Sequence, residues 1–548
     1  MARQLDLADI QGGILRDYGE QFPKGRFIFL SIGDDGAAAR RFIDEVRGWV
    51  TTAVRWDSKA VNYPGEVQAS RPPVTLNMGF TFRGLLRLGL PTRTLQELPA
   101  EYIDGMVRRS HVLGDIELNG HEQWDEIWKP ATPDVHIAIM MRAQVVQGPS
   151  FDAVPELDQM TQQLFALAEQ HGLTALEGHK GPNGRCQDAS TYFKLEDGQA
   201  KPVPREHFGF TDAISEVVFD EQGADLRIEG GGKISREGEW QPHATGEFLL
   251  GHPDESQEVP PAAFPSALMR NGTFLAYRKL HQNVKAFNDY VAASAETFAQ
   301  VYGGSTVDAR DTVKAKIIGR WTNGVPLMAA PTLAERDKFL QDYVAAVQAA
   351  QVWKQNADKT KNPADPDERE AQYQAKLADA RRPFINFRYK DDPDGVKCPL
   401  GAHIRRVNTR DMLDVVAHSS ILNNRRRILR RGLPYGAFSP DAPDDNGEHG
   451  VIFLGYCANL FRQFEFVQQQ WLQYGLDFNA GNDRCPLLGN RVKGESHKFV
   501  IPTDPGSGKP PFICSNLPQF VQTRGGEYFF VPSLTGLRMI AMGTVDPT

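Results

Sequence analysis

The chain has 548 residues, a hydrophobic fraction of 41%, a charged fraction of 24% and a formal net charge of −8. Its length suffices for two to four domains and for a buried cofactor cavity. The acidic balance argues against a nucleic-acid binder, and a membrane-spanning helix is not expected because no run of about 18 apolar residues occurs.

The five cysteines show no CxxC spacing, and the N-terminus shows neither a secretion signal nor a twin-arginine pair. Reduced thiols and a cytoplasmic location are therefore expected. CxxCH is also absent, so that any haem would be bound without thioether links.

The predicted elements follow one another as strand and helix twice over. In the first half, RFIFLSIG, the start of NMGFTFRGLLRLGL and DVHIAIMMRAQ are strand-like, and helical patterns follow each of them. In the second half, GTFLAYRKL and HGVIFLGYC are strand-like, and each precedes an amphipathic helical pattern. Such an order favours an α+β fold of the split-βαβ kind, built twice in one chain.

Three segments differ from this pattern. EDGQAKPVPREHFG is polar and predicts a linker, and 487–518 has the composition of a loop. Residues 332–382 are rich in Ala, Gln and charged residues and predict two surface helices around an exposed turn.

The stretch CPLGAHIRRVNTRD places His403 beside Arg405, Arg406 and Arg410. By itself it is more typical of a buried histidine next to a basic turn. Imidazole is nevertheless a good axial ligand for haem iron, and guanidinium groups are suitable partners for haem propionates.

Two further clusters have a structural interpretation when taken singly. EHFGFTDAIS contains Asp212 and is typical of a turn with an Asx cap, and NNRRRILRRGLPYG is typical of a solvated basic face. Together with His403, however, they supply the acid, the fixed cation and the axial histidine that a peroxidase requires.

Over nearly its whole length the chain resembles the dye-decolorizing peroxidases, specifically the longer class of that family. The similar blocks occur in the family's order: DIQGGIL, FGFTDAIS, GEFLLGHPDE, RNGTFLAYRKL, AKIIGRW, DDPDGVKCPLGAHIRR, RRRILRRGLPYG, RQFEFVQQQW and RGGEYFFVPSL. The resemblance implies two ferredoxin-like domains with antiparallel sheets and peripheral helices, at 1–204 and 205–548. It also implies that the haem lies in the C-terminal half. The composition of 332–382 indicates that this segment is a helical insertion away from the core.

The resemblance further implies a residue for each role. His403 is expected to bind the haem iron, with Asp212 as the distal acid and Arg430 as the distal arginine. Glu465 is expected to accept the proximal imidazole N–H, Arg410 to contact a propionate, and Arg405 to be its reserve. The family's motif ends in glycine where this chain has Ala213, and a need for positive φ there would displace Asp212.

The implied function is reduction of hydrogen peroxide, with oxidation of dyes, phenols or other aromatic one-electron donors. The implied cofactor is one non-covalent haem b per chain, in a monomer or homodimer. A carboxylate base predicts an acidic optimum, because a free carboxylate has a pKa of about 4. Trp471 and Tyr435 are candidates for relaying electrons to the surface. The first alternative is a haem carrier or iron-releasing protein on the same fold, and the second is a non-haem binding protein that kept the fold. A nucleic-acid binder is disfavoured.

Overall fold

The fold was derived from a computed structural model of the chain. The residues described are 5–56, 67–68, 71–181, 183–222, 228–235, 237–363, 365–413 and 421–543.

In the first half, the central strand is Lys24–Ile32, which pairs antiparallel with Ile137–Ala143 and with Leu173–Ala175. The strand Ile137–Ala143 pairs in turn with Val74–Phe80. Every side chain of these last two strands is buried, because both faces of the sheet are covered. The helices Gly36–Val46 and Glu156–Gln170 connect the first strand to the second and the third to the fourth.

The second half repeats this arrangement. Its central strand, Thr273–Gln282, pairs antiparallel with Gly450–Cys457 and Val521–Val531. The strand Gly450–Cys457 also pairs with Leu429–Arg430 and with Leu433–Tyr435.

Both halves have the spatial order second, third, first and fourth strand, which is the ferredoxin-like order. Helices lie at the equivalent connections of the second half, namely Val284–Tyr302 and the π-helical turns of 461–472. The expectation that one architecture occurs twice is therefore confirmed at the level of strand order.

The two halves join into one ten-stranded sheet where Phe530 pairs with Phe80. Two buried ion pairs cross the same boundary. Arg278 contacts Asp115 at 2.6 Å, and Lys279 contacts Asp125 at 2.6 Å. These charges are shielded from water. Removing Arg278 would leave Asp115 both buried and without its cation, whereas Lys279 also contacts Glu448 at 3.2 Å.

The segment 332–382 forms two helices, Leu333–Thr360 and Pro366–Arg381, as expected. The first begins with a capping box in which Thr332 and Glu335 bond each other's backbone N–H groups. Its status as an insertion, and the domain limits 1–204 and 205–548, remain predictions. Among the described residues, no helix is both long and apolar enough to cross a bilayer.

One loop prediction was wrong, and the predicted linker contains a strand. Gln199–Val203, inside the predicted linker, pairs with Tyr192–Glu196, and both turn residues Asp197 and Gly198 have positive φ. An Asp-Gly pair is a strong hairpin signal, but an assignment made from composition alone does not take this pair into account. In 487–518, the strands Lys498–Ile501 and Phe512–Ser515 form another hairpin, which buries alternate residues.

We predict that Arg278→Met lowers the free energy of unfolding by about 3–5 kcal/mol, because Asp115 is left as an unpaired buried charge. Lys338→Met is the matched control. Lys338 pairs with Asp342 at the surface, with both side chains more than half exposed, and it should cost below about 1 kcal/mol. Chemical denaturation followed by circular dichroism measures both. Equal losses in the two variants would contradict the role given to the buried pair.

Candidate functional site

His403 is the first residue of the short helix His403–Val407 and is partly buried. Its Nδ1 lies 3.4 Å from the Sγ atom of Cys485. Within the described part of the chain, no group is bonded to Nε2, so this nitrogen can serve as a ligand. Burial favours the neutral thiol of Cys485, but His403 and Arg406 outweigh it and lower the pKa of that thiol to about 7.

Glu465 does not lie against His403. Its carboxylate receives two hydrogen bonds from Arg109, at 2.5 and 2.6 Å, and one from the Tyr528 hydroxyl at 2.9 Å. The expectation that Glu465 accepts the imidazole N–H is therefore corrected, and Cys485 is the observed neighbour of Nδ1. The cysteine comes from a loop distant in sequence, and no motif signals it.

Arg410 is buried and has an unusual backbone, with φ of 51°. Its Nη1 donates to the carbonyls of Ile385 and Phe387, and the guanidinium lies 3.7 Å from the centre of the Phe387 ring. Its Nε and Nη2 are buried and have no hydrogen-bond partner among the residues that the structure describes. Burial lowers the pKa of Arg410 to about 10.

Arg427 and Arg320 join Arg410 in a cluster of buried cations that the sequence did not single out. Burial, together with the smaller effect of the charges of Arg410 and Arg430, lowers the pKa of Arg427 to about 9. Arg320 is likewise lowered to about 10 by burial and then by Arg410. Arg427 bonds Asn408, and its Nε has no partner. Both residues lie inside motif blocks, but nothing in those blocks shows which arginines point inward.

Arg405, the predicted reserve for Arg410, is engaged elsewhere. Its Nη1 pairs with Asp392 at 3.0 Å and donates to the carbonyl of Cys398 at 2.6 Å, and its Nε contacts the sulfur of Met412. This side chain is already neutralised by a carboxylate, so we withdraw it as a propionate contact. Arg405 instead fixes the segment that carries His403.

Asp212 and Arg430 lie far apart in the sequence, yet Nη1 of Arg430 is 4.0 Å from Oδ1 of Asp212. Arg430 belongs to the edge strand Leu429–Arg430, and Asp212 to a loop tied by the hydrogen bond from Thr211 N–H to the Thr322 carbonyl. Both side chains are about half exposed, as groups that meet a ligand would be.

Ala213 adopts the conformation that glycine favours, with φ of 57°. The suspected need for positive φ at this position is therefore real, and alanine meets it at some backbone strain. Beside it, Glu216 pairs with the buried Arg431 at 2.8 Å. This ion pair ties the loop of Asp212 to the strand of Arg430.

Trp471 and Tyr435, the expected relay residues, are both fully buried. Neither can meet a bulky donor directly. Trp471 donates from Nε1 to Asp477 at 3.0 Å, and Tyr474, three positions further on, has 43% of its surface exposed.

The residues fit a haem group. A haem takes one histidine nitrogen from the protein and brings two carboxylates. Within the described ranges, Arg410 and Arg427 have buried N–H donors without hydrogen-bond partners. An uncompensated buried cation costs several kcal/mol. A dianionic cofactor beside them would remove that cost.

Comparisons with known proteins agree with this assignment. The sequence model described as Dyp-type peroxidase, C-terminal, matches residues 388–480, which include His403 and Arg430. Peroxidase 2 of Mycetinis scorodonius is 26% identical, over 97% of this chain and 87% of the relative. A dye-decolorizing peroxidase of Exidia glandulosa is also 26% identical, over 97% and 86%.

Solved structures show the same fold. A dye-decolorizing peroxidase in complex with 2,6-dimethoxyphenol has a TM-score of 0.68 and 23% identity, covering 98% of this chain and 100% of that one. An ancestral D-type dye decolorizing peroxidase has a TM-score of 0.69 and 24% identity, covering 98% and 99%. The predicted fold class, two ferredoxin-like domains, is thereby confirmed.

We predict opposite effects for two arginine substitutions in the haem-free protein. Arg427→Met removes a buried cation that has no carboxylate partner and should stabilise the fold by about 1–4 kcal/mol. Arg405→Met leaves the buried Asp392 carboxylate without its cation and should destabilise the fold by about 3–5 kcal/mol. Chemical denaturation gives both free energies, and haem titration should show weaker binding for Arg427→Met. A loss of stability in Arg427→Met would argue against the uncompensated charge.

At position 213, we predict that Ala213→Gly keeps the Asp212 geometry and the rate of reaction with peroxide. Ala213→Val should cost about 1–2 kcal/mol in stability, because a branched side chain tolerates positive φ poorly. It should also slow the reaction with peroxide by displacing Asp212. Thermal unfolding and stopped-flow absorbance measure the two effects. An unchanged rate of reaction with peroxide in Ala213→Val would show that the backbone conformation at position 213 does not affect catalysis.

Proposed function

We propose that this chain, which belongs to the Dyp-type peroxidase family, uses His403, Asp212 and Arg430 to reduce hydrogen peroxide while it oxidises dyes and phenols. Peroxidase activity itself follows from the family match and the full-length relatives. The observation that best supports the residue assignment is the 4.0 Å approach of Arg430 to Asp212. Two chemically complementary groups from distant segments meet there, on separately anchored elements.

Dyp-type peroxidases are haem enzymes, and we infer one non-covalent haem b per chain. The absence of CxxCH from the sequence supports the non-covalent mode. His403 would supply the iron ligand through Nε2, and Arg410 with Arg427 would bind the propionates. When bound, the haem supplies the redox centre that accepts the oxidising equivalents of peroxide.

The distal residues have separate tasks. Asp212, ionised, accepts the proton of hydrogen peroxide from one oxygen and returns it to the other, so that water is the leaving group. Arg430 carries a fixed positive charge, which stabilises the negative charge that develops as the O–O bond breaks. The Glu216–Arg431 pair behind them holds the two groups at a constant separation.

On the other face, Cys485 lies against Nδ1 of His403 and orients the ring. Metal-binding histidines are commonly oriented by a group at the second nitrogen, which also tunes the basicity of the ligand. A thiol beside Arg406 would serve here where we had expected a carboxylate.

Aromatic compounds are the class of reducing substrate. One solved relative is described in complex with 2,6-dimethoxyphenol, a phenol. A monomer or homodimer and a cytoplasmic location remain proposals. The location is supported by the five cysteines, all of which are buried free thiols.

Stopped-flow spectra with stoichiometric peroxide test the assignment on four proteins. We predict that His403→Ala loses the haem Soret band, because the iron loses its protein ligand. Asp212→Asn and Arg430→Leu should keep the Soret band and react about 10²–10⁴-fold more slowly, the usual loss for an acid–base or electrostatic group.

Wild-type rates in both distal variants would show that the distal assignment is wrong. A wild-type protein that binds haem but reacts with peroxide no faster than free haem would favour the alternative, a haem carrier or iron-releasing protein. Lys338→Gln, on the exposed helix Leu333–Thr360, is a charge-matched control that should behave as wild type.

A further inference from the structure

A polar cavity of about 480 Å³ lies next to the segment that carries Cys485. Its volume falls within the range of about 300–1,000 Å³ that is usual for small-molecule sites. Its wall consists mainly of charged side chains and one aromatic ring: Tyr474, Asp483, Arg484, Arg491, Glu495 and Lys498. Neither Asp212 nor Arg430 lines it.

The charges on this wall are unequal. Arg484 pairs with Glu495 at 2.8 Å, and Lys498 lies 3.9 Å from Asp483. Arg491 instead donates from Nη2 to the carbonyls of Cys485 and Pro486, at 3.0 and 2.8 Å.

No ion pair to a carboxylate involves Arg491 in the part of the chain that the structure describes. Burial lowers the pKa of its guanidinium to about 10, and no carboxylate is among the groups that act on it. An anionic group inside the cavity would therefore find a cation that no protein carboxylate has neutralised.

Tyr474 gives the cavity an aromatic surface. Its side chain is 43% exposed, while its backbone carbonyl accepts a hydrogen bond from Arg406. An exposed phenol ring on a rigid backbone offers a stacking face to an aromatic ligand at low entropic cost.

Two connections join this cavity to His403. Arg406, three residues after His403, donates from Nη1 to the carbonyl of Tyr474 at 3.1 Å and from Nη2 to that of Asp483 at 2.8 Å. Cys485 follows the wall residue Arg484 directly, and its sulfur lies 3.4 Å from Nδ1 of His403. An electron-donating molecule in the cavity is thus connected to His403 through Arg406, and also through Arg484 and Cys485.

We propose that this cavity binds an anionic phenol, one that carries a carboxylate, as a reducing substrate on the His403 side of the protein. The inference rests on the proposed peroxidase function. Each phenol gives one electron to the peroxide-oxidised enzyme and its O–H proton to solvent, and leaves as a phenoxyl radical. Two phenols supply the two electrons and two protons that convert one hydrogen peroxide into two waters.

Isothermal titration of 4-hydroxycinnamate into the resting haem enzyme, without peroxide, tests the binding. We predict one site per chain and roughly tenfold weaker binding in Arg491→Gln, the usual effect of losing one charge-assisted contact. Lys498→Gln should weaken binding by a smaller factor. Because Lys498 is about half exposed, this variant keeps the test valid if Arg491→Gln misfolds. Lys338→Gln should bind as wild type, and the uncharged methyl ester of the ligand should bind more weakly than the acid.

Steady-state kinetics then tests the role. The KM for 4-hydroxycinnamate should rise in the cavity variants by the factor seen in titration, while the stopped-flow reaction with peroxide stays at the wild-type rate. The proposed site is wrong if both cavity variants bind 4-hydroxycinnamate with wild-type affinity, or if the wild-type protein does not bind it. Weakened binding with an unchanged KM overturns its role as the reductant site. A failure of the proposed function differs from these results, because the peroxide reaction itself would then be absent in the wild type.

Discussion

Uncompensated positive charge buried in the C-terminal half is the constraint on which the functional region depends. Arg320, Arg410 and Arg427 are enclosed together, and burial lowers the pKa of each. A carboxylate beside these arginines would stabilise the folded chain, as Asp392 does by neutralising Arg405. The missing partner is the reason to infer a dianionic cofactor. A ring contact with Phe387 and hydrogen bonds to backbone carbonyls hold Arg410 in place.

The proposed distal groups, Asp212 and Arg430, show how separate elements are brought to one point. Arg430 is positioned by its strand, whereas Asp212 is positioned by a loop that bonds the chain near Thr322. The pair formed by Glu216 and Arg431 then couples strand to loop. Reaction chemistry at such a site depends on fixed separations, and three kinds of anchor provide them: sheet pairing, a backbone bond and an ion pair to the buried Arg431.

The other side of His403 is built differently from what the motifs suggested. Glu465 lies in the predicted block, but it neutralises Arg109 of the first half and so holds the two halves together. Cys485 occupies the place beside the imidazole. It also connects the histidine to a cavity whose wall includes Tyr474 and an arginine without a carboxylate partner. The buried Trp471 and Tyr435 offer no such opening to solvent.

The sequence by itself determined the strand and helix pattern and the repeated α+β architecture, and it supplied His403, Asp212, Arg430 and Arg410 as the proposed site residues. Apolar periodicity and the order of the motifs can be recognised in the sequence without knowledge of long-range contacts. Only the tertiary structure decided which arginines lie unpaired, that Arg405 already has a carboxylate, and that Cys485 rather than Glu465 meets the histidine. These outcomes depend on which distant side chains share one buried volume, and spacing along the chain carries no information about that.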